Sequence, residues 1–325
     1  MRFRIEALRR GRNMEIDRRR ISRLIRESRT RERTLDRVVR SQAWLDPVAD
    51  VVQKAVGGFY EVLGSPGRAI KNVMYGTKLL GHPLHPALTD LPVGAWTVGV
   101  LADWLFIATG RVPPAAGDFA LAAGLAGALL AAMTGYTDFH ETEGHERRTA
   151  VVHGLTMTGV VVIDLISLSL RLSSTGLRPA AVVLSTLAWL IVLFGAYVGG
   201  HLTFGIGTAV NHNAFYDGPM EFVKVGTRDD FPEGEMRRVE AGGLPVVILR
   251  NKGLLHAMGA VCSHAGGPLH EGKVAEEVVT CPWHASRFRF EDGKVVGGPA
   301  TFDQPLLVAR ERGGVVEVKL AHPLK

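Results

Sequence analysis

Cys262-Ser263-His264 and Cys281-Pro282-Trp283-His284 decide how this 325-residue chain is read. Residues 265–280 separate the two segments. Each supplies one thiolate and one imidazole, and Cys262 and Cys281 are the two cysteines of the sequence. Two soft thiolates and two imidazoles, split evenly between short segments, suit a two-iron, two-sulfur centre. There the cysteines hold one iron and the histidines the other. Neutral imidazoles in place of thiolates make such a centre less negative and raise its reduction potential. The pattern therefore points to electron transfer. The rival is a tetrahedral zinc ion, but zinc fingers pair Cys with Cys and His with His, so the mixed order is wrong for them. Two core cysteines without a metal are the third reading.

The flanks read Val261-Cys262-Ser263-His264-Ala265-Gly266-Gly267-Pro268-Leu269 and Cys281-Pro282-Trp283-His284-Ala285-Ser286-Arg287-Phe288. Glycines let backbone pass close to a bulky group because they carry no Cβ. Residues 219–322 resemble the Rieske [2Fe-2S] domains. The resemblance implies a small all-β domain with a Rieske-type cluster on Cys262, His264, Cys281 and His284. Rieske proteins of respiratory bc complexes have an extra cysteine in each loop, joined as a disulfide. Gly267 and Trp283 stand at those places here, so the resemblance is to the Rieske ferredoxins and oxygenase-associated domains. Ser286 matches a serine that bonds a cluster sulfide in high-potential members, and such bonds raise potential. His264 and His284 are also expected to couple proton to electron transfer.

Strand signals agree. Val246–Leu249 and Leu254–Met258 flank Asn251-Lys252-Gly253, a hairpin turn signal. Leu306–Val308 and Val315–Val318 flank Gly313-Gly314, and Phe288-Arg289-Phe290 alternates apolar with polar. Antiparallel strands are expected throughout this part.

Ahead of it, four apolar runs at about 86–109, 117–139, 149–171 and 179–204 each approach or exceed the ~20 residues that cross a hydrocarbon core. Mean hydropathy for the whole chain is +0.13. The runs are rich in Ala, Gly, Val and Leu, and small residues let transmembrane helices pack closely. The expected fold class is an α-helical bundle of four transmembrane helices followed by the all-β domain. A buried soluble bundle is the weaker alternative. The expected division is a basic, amphipathic region at 1–78, spans at 79–205, a linker at 206–218 and the Rieske domain at 219–325. The stretch Gly81-His82-Pro83-Leu84-His85-Pro86 and the four short-looped spans resemble a family of bacterial four-helix membrane proteins, some fused to Rieske domains. That resemblance implies architecture, not chemistry.

Residues 1–40 hold fifteen Arg and six acidic residues, a net of +9, so the remainder of the +6 chain is near −3. The positive-inside rule then keeps the amino-terminal side cytoplasmic, and Arg147-Arg148 mark a second cytoplasmic loop. Four spans return the chain to the cytoplasm, in a bacterial inner membrane. Arg9-Arg10 and Arg18-Arg19-Arg20 precede no apolar stretch, so neither a Sec nor a twin-arginine signal is expected, and Met14 is a rival start to Met1. Basic residues without aromatic interleaving suit anionic lipid rather than nucleic acid. Leu35, Val38, Val39 and Val51, Val52, Val56 have helical spacing around Pro47 and predict amphipathic helices on the membrane surface.

Ionisable residues within spans invite a functional reading. His82, His85, His140, His145, His153 and His201 are all expected near the cytoplasmic face, with Asp103 and Asp164 toward the other. Three readings compete. The histidines are hydrogen-bonded interfacial residues; or His153, His201 and His85 are axial ligands of a b-type haem; or the same residues line a metal or quinone site. Only His82-x-x-His85 resembles a desaturase histidine box.

Only 41 residues follow His284, too few for the 2-His-1-carboxylate domain of an oxygenase. No glycine run follows a strand as a dinucleotide fingerprint would. The expected role is an oxidoreductase-type electron carrier without a complete catalytic domain. It would link a soluble partner to a membrane redox partner, cofactor or quinone. The alternatives are a cytoplasm-facing redox sensor, an anchored ferredoxin component of an oxygenase system, and ion transport through Asp103 and Asp164.

Overall fold

The computed structural model of the chain describes residues 33–77, 80–173 and 175–322. Met1, Met14 and most of the basic tail lie outside them.

Among the described residues, four long helices follow three shorter ones, and punctuation residues set the ends of the long ones. Helices α1 (Thr34–Arg40), α2 (Leu45–Val62) and α3 (Gly64–Met74) come first. Helix α4 (Leu84–Thr109) starts after Pro83 and stops at Gly110, whose left-handed φ of 66° lets its amide close on Phe106. Helix α5 (Pro114–Phe139) opens on proline, whose missing N–H costs nothing in a first turn. Helices α6 (Gly144–Ser173) and α7 (Arg178–His201) complete the set, and a π-helical turn, Leu202–Ile206, extends α7. All four are long and apolar enough to cross a membrane. Large apolar side chains such as Leu101, Phe119, Leu129, Leu190 and Tyr197 stay exposed on their outer faces, a belt that a bilayer would cover. Inside, Trp96, Leu121, Val160, Ala188 and Val192 form the bundle core.

Helices α4 and α5 make one hairpin, α6 and α7 the other. Small residues allow the close approach. A Cβ on Gly124 would lie 2.4 Å from the Trp96 indole.

Pro47 does not interrupt the amphipathic region. It falls in the first turn of α2, where proline is tolerated. The apolar face of these helices is also not left to lipid alone. Leu35, Val39, Leu45 and Ala49 pack on Phe139 and Val151, at the ends of α5 and α6. Arg148 fixes the arrangement with two bonds to Asp46, at 2.8 and 2.6 Å, and Arg147 reaches Asp50 at 2.7 Å.

In the carboxyl-terminal part every strand pair of the two sheets is antiparallel, and one isolated parallel bridge joins Glu233 to Arg250. Strands β1 (Val223–Thr227), β2 (Met236–Ala241), β3 (Leu244–Asn251), β4 (Leu254–Gly259), β9 (Leu306–Arg312) and β10 (Val315–Leu320) form one sheet in the order β1-β10-β9-β4-β3-β2. Strands β5 (Lys273–Ala275), β6 (Val278–Thr280), β7 (Arg287–Arg289) and β8 (Val295–Gly297) form a second sheet in sequence order. Both expected hairpins are present. Lys252 and Gly253 turn the first with φ of 52° and 77°, Gly313 and Gly314 the second with 59° and 76°. Val247, Leu249 and Met258 from the large sheet meet Val279 and Phe288 from the small one, with Leu269 and Phe290 from the adjoining turns, and Cys262 and Cys281 belong to the same core.

The stretch expected as linker is ordered. The His212 amide donates to Ser263 O at 3.1 Å, and Asn213 Nδ2 to Val261 O at 3.0 Å. Tyr216 is buried on the other side of the large sheet, three residues before the expected domain start.

Candidate functional site

Two loops at one tip of the small sheet carry the Cys/His segments. The first joins β4 to β5, and the second, 281–286, joins β6 to β7. They are built alike. The Cys262 amide donates to Gly267 O and the Gly266 amide to Cys262 O; likewise the Cys281 amide donates to Ser286 O and the Ala285 amide to Cys281 O. The residue four beyond each cysteine turns left-handed, Gly266 at φ 78° and Ala285 at φ 56°. Each loop thereby aims its backbone N–H groups back at its own sulfur: His264 and Ala265 at Cys262, Trp283 and His284 at Cys281.

Both cysteines are free and buried, with their thiols in hydrogen-bonding reach of each other. That bond, with backbone donors, draws the Cys281 thiol down to about 6 and pushes the Cys262 thiol up. The two imidazoles stand side by side, His264 and His284 having ring centroids 5.0 Å apart at 85°. Burial pushes His264 down to about 4, so its ring is neutral, as a metal ligand must be. Its Nδ1 is buried without a partner, an orphaned donor set that a metal would satisfy.

Among the described residues, no three His, Cys, Asp or Glu side chains converge as ligands of a single ion. A thiol pair beside an imidazole pair fits two irons, each with two protein ligands, better than one tetrahedral zinc. The fit extends to the walls. A Cβ on Gly267 would lie 2.8 Å from Cys281 Sγ and 3.2 Å from the Trp283 ring. Trp283 therefore packs over Gly267, and this contact braces the loops where bc-type domains have a disulfide. Ser286 is fully buried. Its Oγ accepts from the Ala300 amide at 3.1 Å, which leaves its own hydrogen to donate.

The imidazole edge faces the helical bundle. His284 Nε2 lies 3.9 Å from Glu143 in the α5–α6 loop. A cavity of about 190 Å³ separates the tip from the bundle end, lined among others by Tyr75, Glu141, Glu146, His212, His264 and His284. Burial pushes the Glu141 carboxyl up, but bonds from His140, Lys71 and Tyr75 outweigh it and hold the group at about 2. Asn72 and Thr77 clamp the third side through Gly298 N and Ala300 O. His212 and Asn72 carry no motif signal, and only the fold brings them here.

The six membrane histidines sort into three sets. His82 is exposed and faces Pro83 O. His140, His145 and His201 are tied to carboxylates. His140 Nδ1 faces Glu141 at 3.0 Å, and His145 and His201 share Asp36 Oδ1 at 2.8 and 2.7 Å. Arg33 takes the other nitrogen of His201 at 3.3 Å. His201 therefore does not join His85 and His153, whose rings meet nearly perpendicular, with centroids 6.3 Å apart at 79°. His153 also sits deeper than expected, because α6 starts at Gly144 and not at 149.

Asp103 is engaged by a residue outside the expected set. Arg171 grips both its oxygens, at 2.5 and 3.0 Å, and reaches Asp118 at 3.0 Å, while Arg178 pairs with Asp118 at 2.7 Å. Beside Asp103 and Asp164, the free space is about 10 Å³, room for no more than one water. An ion path through these aspartates finds no support in this packing.

Fold and loops define an iron–sulfur electron-transfer domain carried on a membrane-type helical bundle. The chain belongs to the Rieske [2Fe-2S] domain family, which residues 221–312 match, and residues 81–212 match a family described as Predicted membrane protein (DUF2231). It is 33% identical over 101 residues to the ferredoxin component of biphenyl 2,3-dioxygenase from Rhodococcus jostii, covering 31% of this chain and 94% of that one. It is 34% identical over 86 residues to human apoptosis-inducing factor 3, covering 26% of this chain but only 14% of that protein. The iron–sulfur subunit of the cytochrome b6-f complex from Chlorobaculum tepidum is 27% identical over 97 residues, with 30% and 52% covered.

Proposed function

We propose that this chain is a membrane-bound electron carrier with Cys262 and Cys281 on one iron of a [2Fe-2S] cluster and His264 and His284 on the other. The observation that carries this reading is the buried thiol pair beside the paired His264 and His284 rings, each cysteine faced by its own loop's backbone N–H donors. When bound, the cluster supplies one-electron transfer at a potential raised by its imidazole ligands. The protein excludes water from the sulfurs with Trp283 and Leu269, and points the imidazole edge at the bundle. Glu143, 3.9 Å from His284 Nε2, is placed to take up a proton released there.

Helices α1–α3, Arg147-Arg148 and the Rieske domain share one end of the bundle, and the basic bias of the sequence toward that end supports a cytoplasmic location for it in a bacterial cell. The soluble partner is a ferredoxin reductase or an oxygenase component, as the dioxygenase ferredoxin suggests. The membrane-side partner is a redox cofactor or a quinone, and the cavity between tip and bundle favours the quinone as a second reading. The test is stopped-flow reduction of the protein in nanodiscs, by a flavin-containing ferredoxin reductase on one side and by quinol on the other. Fast reduction by at least one, with the EPR signal of a reduced Rieske centre, is expected; no such signal in iron-replete protein overturns the reading. A carboxyl-terminal fluorescent fusion should be bright, since the proposed location is cytoplasmic.

Ser286 offers a separate check. Ser286→Ala removes one hydroxyl donor from the sulfur side. A hydrogen bond to a charged acceptor is worth about 1.5–3 kcal/mol, or roughly 65–130 mV for one electron. Protein-film voltammetry should find the potential lowered by that order, and an unchanged potential would show that the hydroxyl points elsewhere.

A further inference from the structure

Apart from exposed His82, His85 and His153 are the membrane histidines with no carboxylate partner among the described residues, and they are built into opposite hairpins in the same way. His85, in the first turn of α4, places Nδ1 2.8 Å from Ala131 O on α5. His153, on α6, places Nδ1 2.9 Å from Gly195 O on α7. A carbonyl only accepts, so each Nδ1 carries the hydrogen and each Nε2 keeps its lone pair. A ring N–H tied to a backbone carbonyl is what fixes a histidine that binds metal through its other nitrogen. Among the described residues, neither Nε2 has a hydrogen-bond partner.

Each ring also has a glycine cleared for it on the neighbouring helix. A Cβ on Gly135 would lie 2.7 Å from His85 Cε1, and one on Gly199 would lie 3.0 Å from His153 Cε1. The pair faces across the seam between the hairpins, toward the end that carries the Rieske domain.

Spacing and ligand count narrow the occupant. With metal–nitrogen bonds of about 2.0–2.1 Å and ~1.1 Å from nitrogen to ring centre, two trans imidazoles stand about 6.3 Å apart. The observed centroid separation is 6.3 Å. No third His, Cys, Asp or Glu converges on them among the described residues. A bare ion held by two imidazoles alone would be poorly coordinated, whereas an iron porphyrin brings four nitrogens of its own and needs only two axial ligands. Facing helices of a four-helix bundle commonly build such sites.

We infer that His85 and His153 are the axial ligands of a haem held between the two hairpins, and that His201 is not. This deepens the electron-carrier reading by supplying its membrane-side station, but the site stands on its own geometry. The experiment is expression of the full chain with δ-aminolaevulinate, purification in detergent, and pyridine haemochrome assay with oxidised and dithionite-reduced spectra. One haem per chain is expected, with a Soret band that shifts on reduction. His85→Ala and His153→Ala should each lose haem about ten-fold or more, and His201→Ala should keep it. The cluster EPR signal serves as the folding control. If the alanine variants do not fold, His153→Met keeps an axial donor and should retain haem at a raised potential, since Met/His ligation raises it. Wild-type protein without a Soret band, or folded alanine variants with full haem, overturns the inference. Haem present without a cluster signal would sink the proposed function and leave this one standing.

Discussion

Cys281→Ser should abolish the iron–sulfur centre. Iron and acid-labile sulfide are expected to fall from two of each per chain to background, and the EPR signal to vanish. A serine hydroxyl does not ionise near neutral pH, so it cannot replace a thiolate that the Cys262 thiol, with backbone N–H groups, draws down to about 6. Cys262 would then be the one protein ligand left to that iron. The lost metal also costs stability, because ligand binding and folding are coupled when a site ties two loops together. Here the loops meet at the two sulfurs, the two imidazoles and the Trp283–Gly267 contact. The Rieske domain of the variant should therefore melt below the wild type, while the bundle, which shares no core residue with it, keeps its own transition. Full iron content in the serine variant would overturn the ligand assignment. One zinc per chain and no labile sulfide in the wild type would replace it with the tetrahedral reading.

The cluster loops were legible because their chemistry is local. Two ligands within three or four residues, with glycines beside them, specify a loop regardless of the distant chain. The hairpins at 251–253 and 313–314 were legible for the same reason: two consecutive left-handed residues admit few alternatives. Span boundaries were less so. The apolar run of α6 begins at 149, but the helix begins at Gly144, since His145, Glu146, Arg147 and Arg148 find partners in Asp36, Thr208, Asp50 and Asp46. Polar residues with tertiary partners extend a helix in a way hydropathy does not register. That shift is what moved His153 away from the interfacial set.

The histidines show the same limit. Hydropathy places six of them at one end of the bundle, and that was readable. Which are satisfied depends on Asp36, a residue more than a hundred positions from His145 and His201 in sequence. One carboxylate oxygen accepting from both rings turns them into struts that fasten α1 to α6 and α7. The structure thus divides residues that look equivalent in sequence into struts and a facing pair.

Arg171→Leu should destabilise the bundle by about 3–5 kcal/mol, the usual cost of removing one partner from a buried pair. Arg171 and Asp103 side chains are each only 1% exposed, joined by two bonds at 2.5 and 3.0 Å. Without the guanidinium, Asp103 keeps only Arg178 at 3.6 Å, and Ser185 and Asp118 lose a donor as well. The backbone leaves little room to adapt, because a Cβ on Gly117 would already lie 2.4 Å from Asp103 Oδ1. The penalty belongs to the orphaned charge rather than to the lost attraction. Replacing both partners by apolar groups of similar bulk, Asp103→Val with Arg171→Met, should therefore recover most of it. Reversible unfolding in mixed detergent micelles, read by tryptophan fluorescence from Trp96, measures both. If the double variant is no more stable than Arg171→Leu, the pair holds the helices by geometry and not by charge balance. If Arg171→Leu costs nothing, the far end of the bundle is wetter than its packing implies, and the aspartates regain their claim as an ion site.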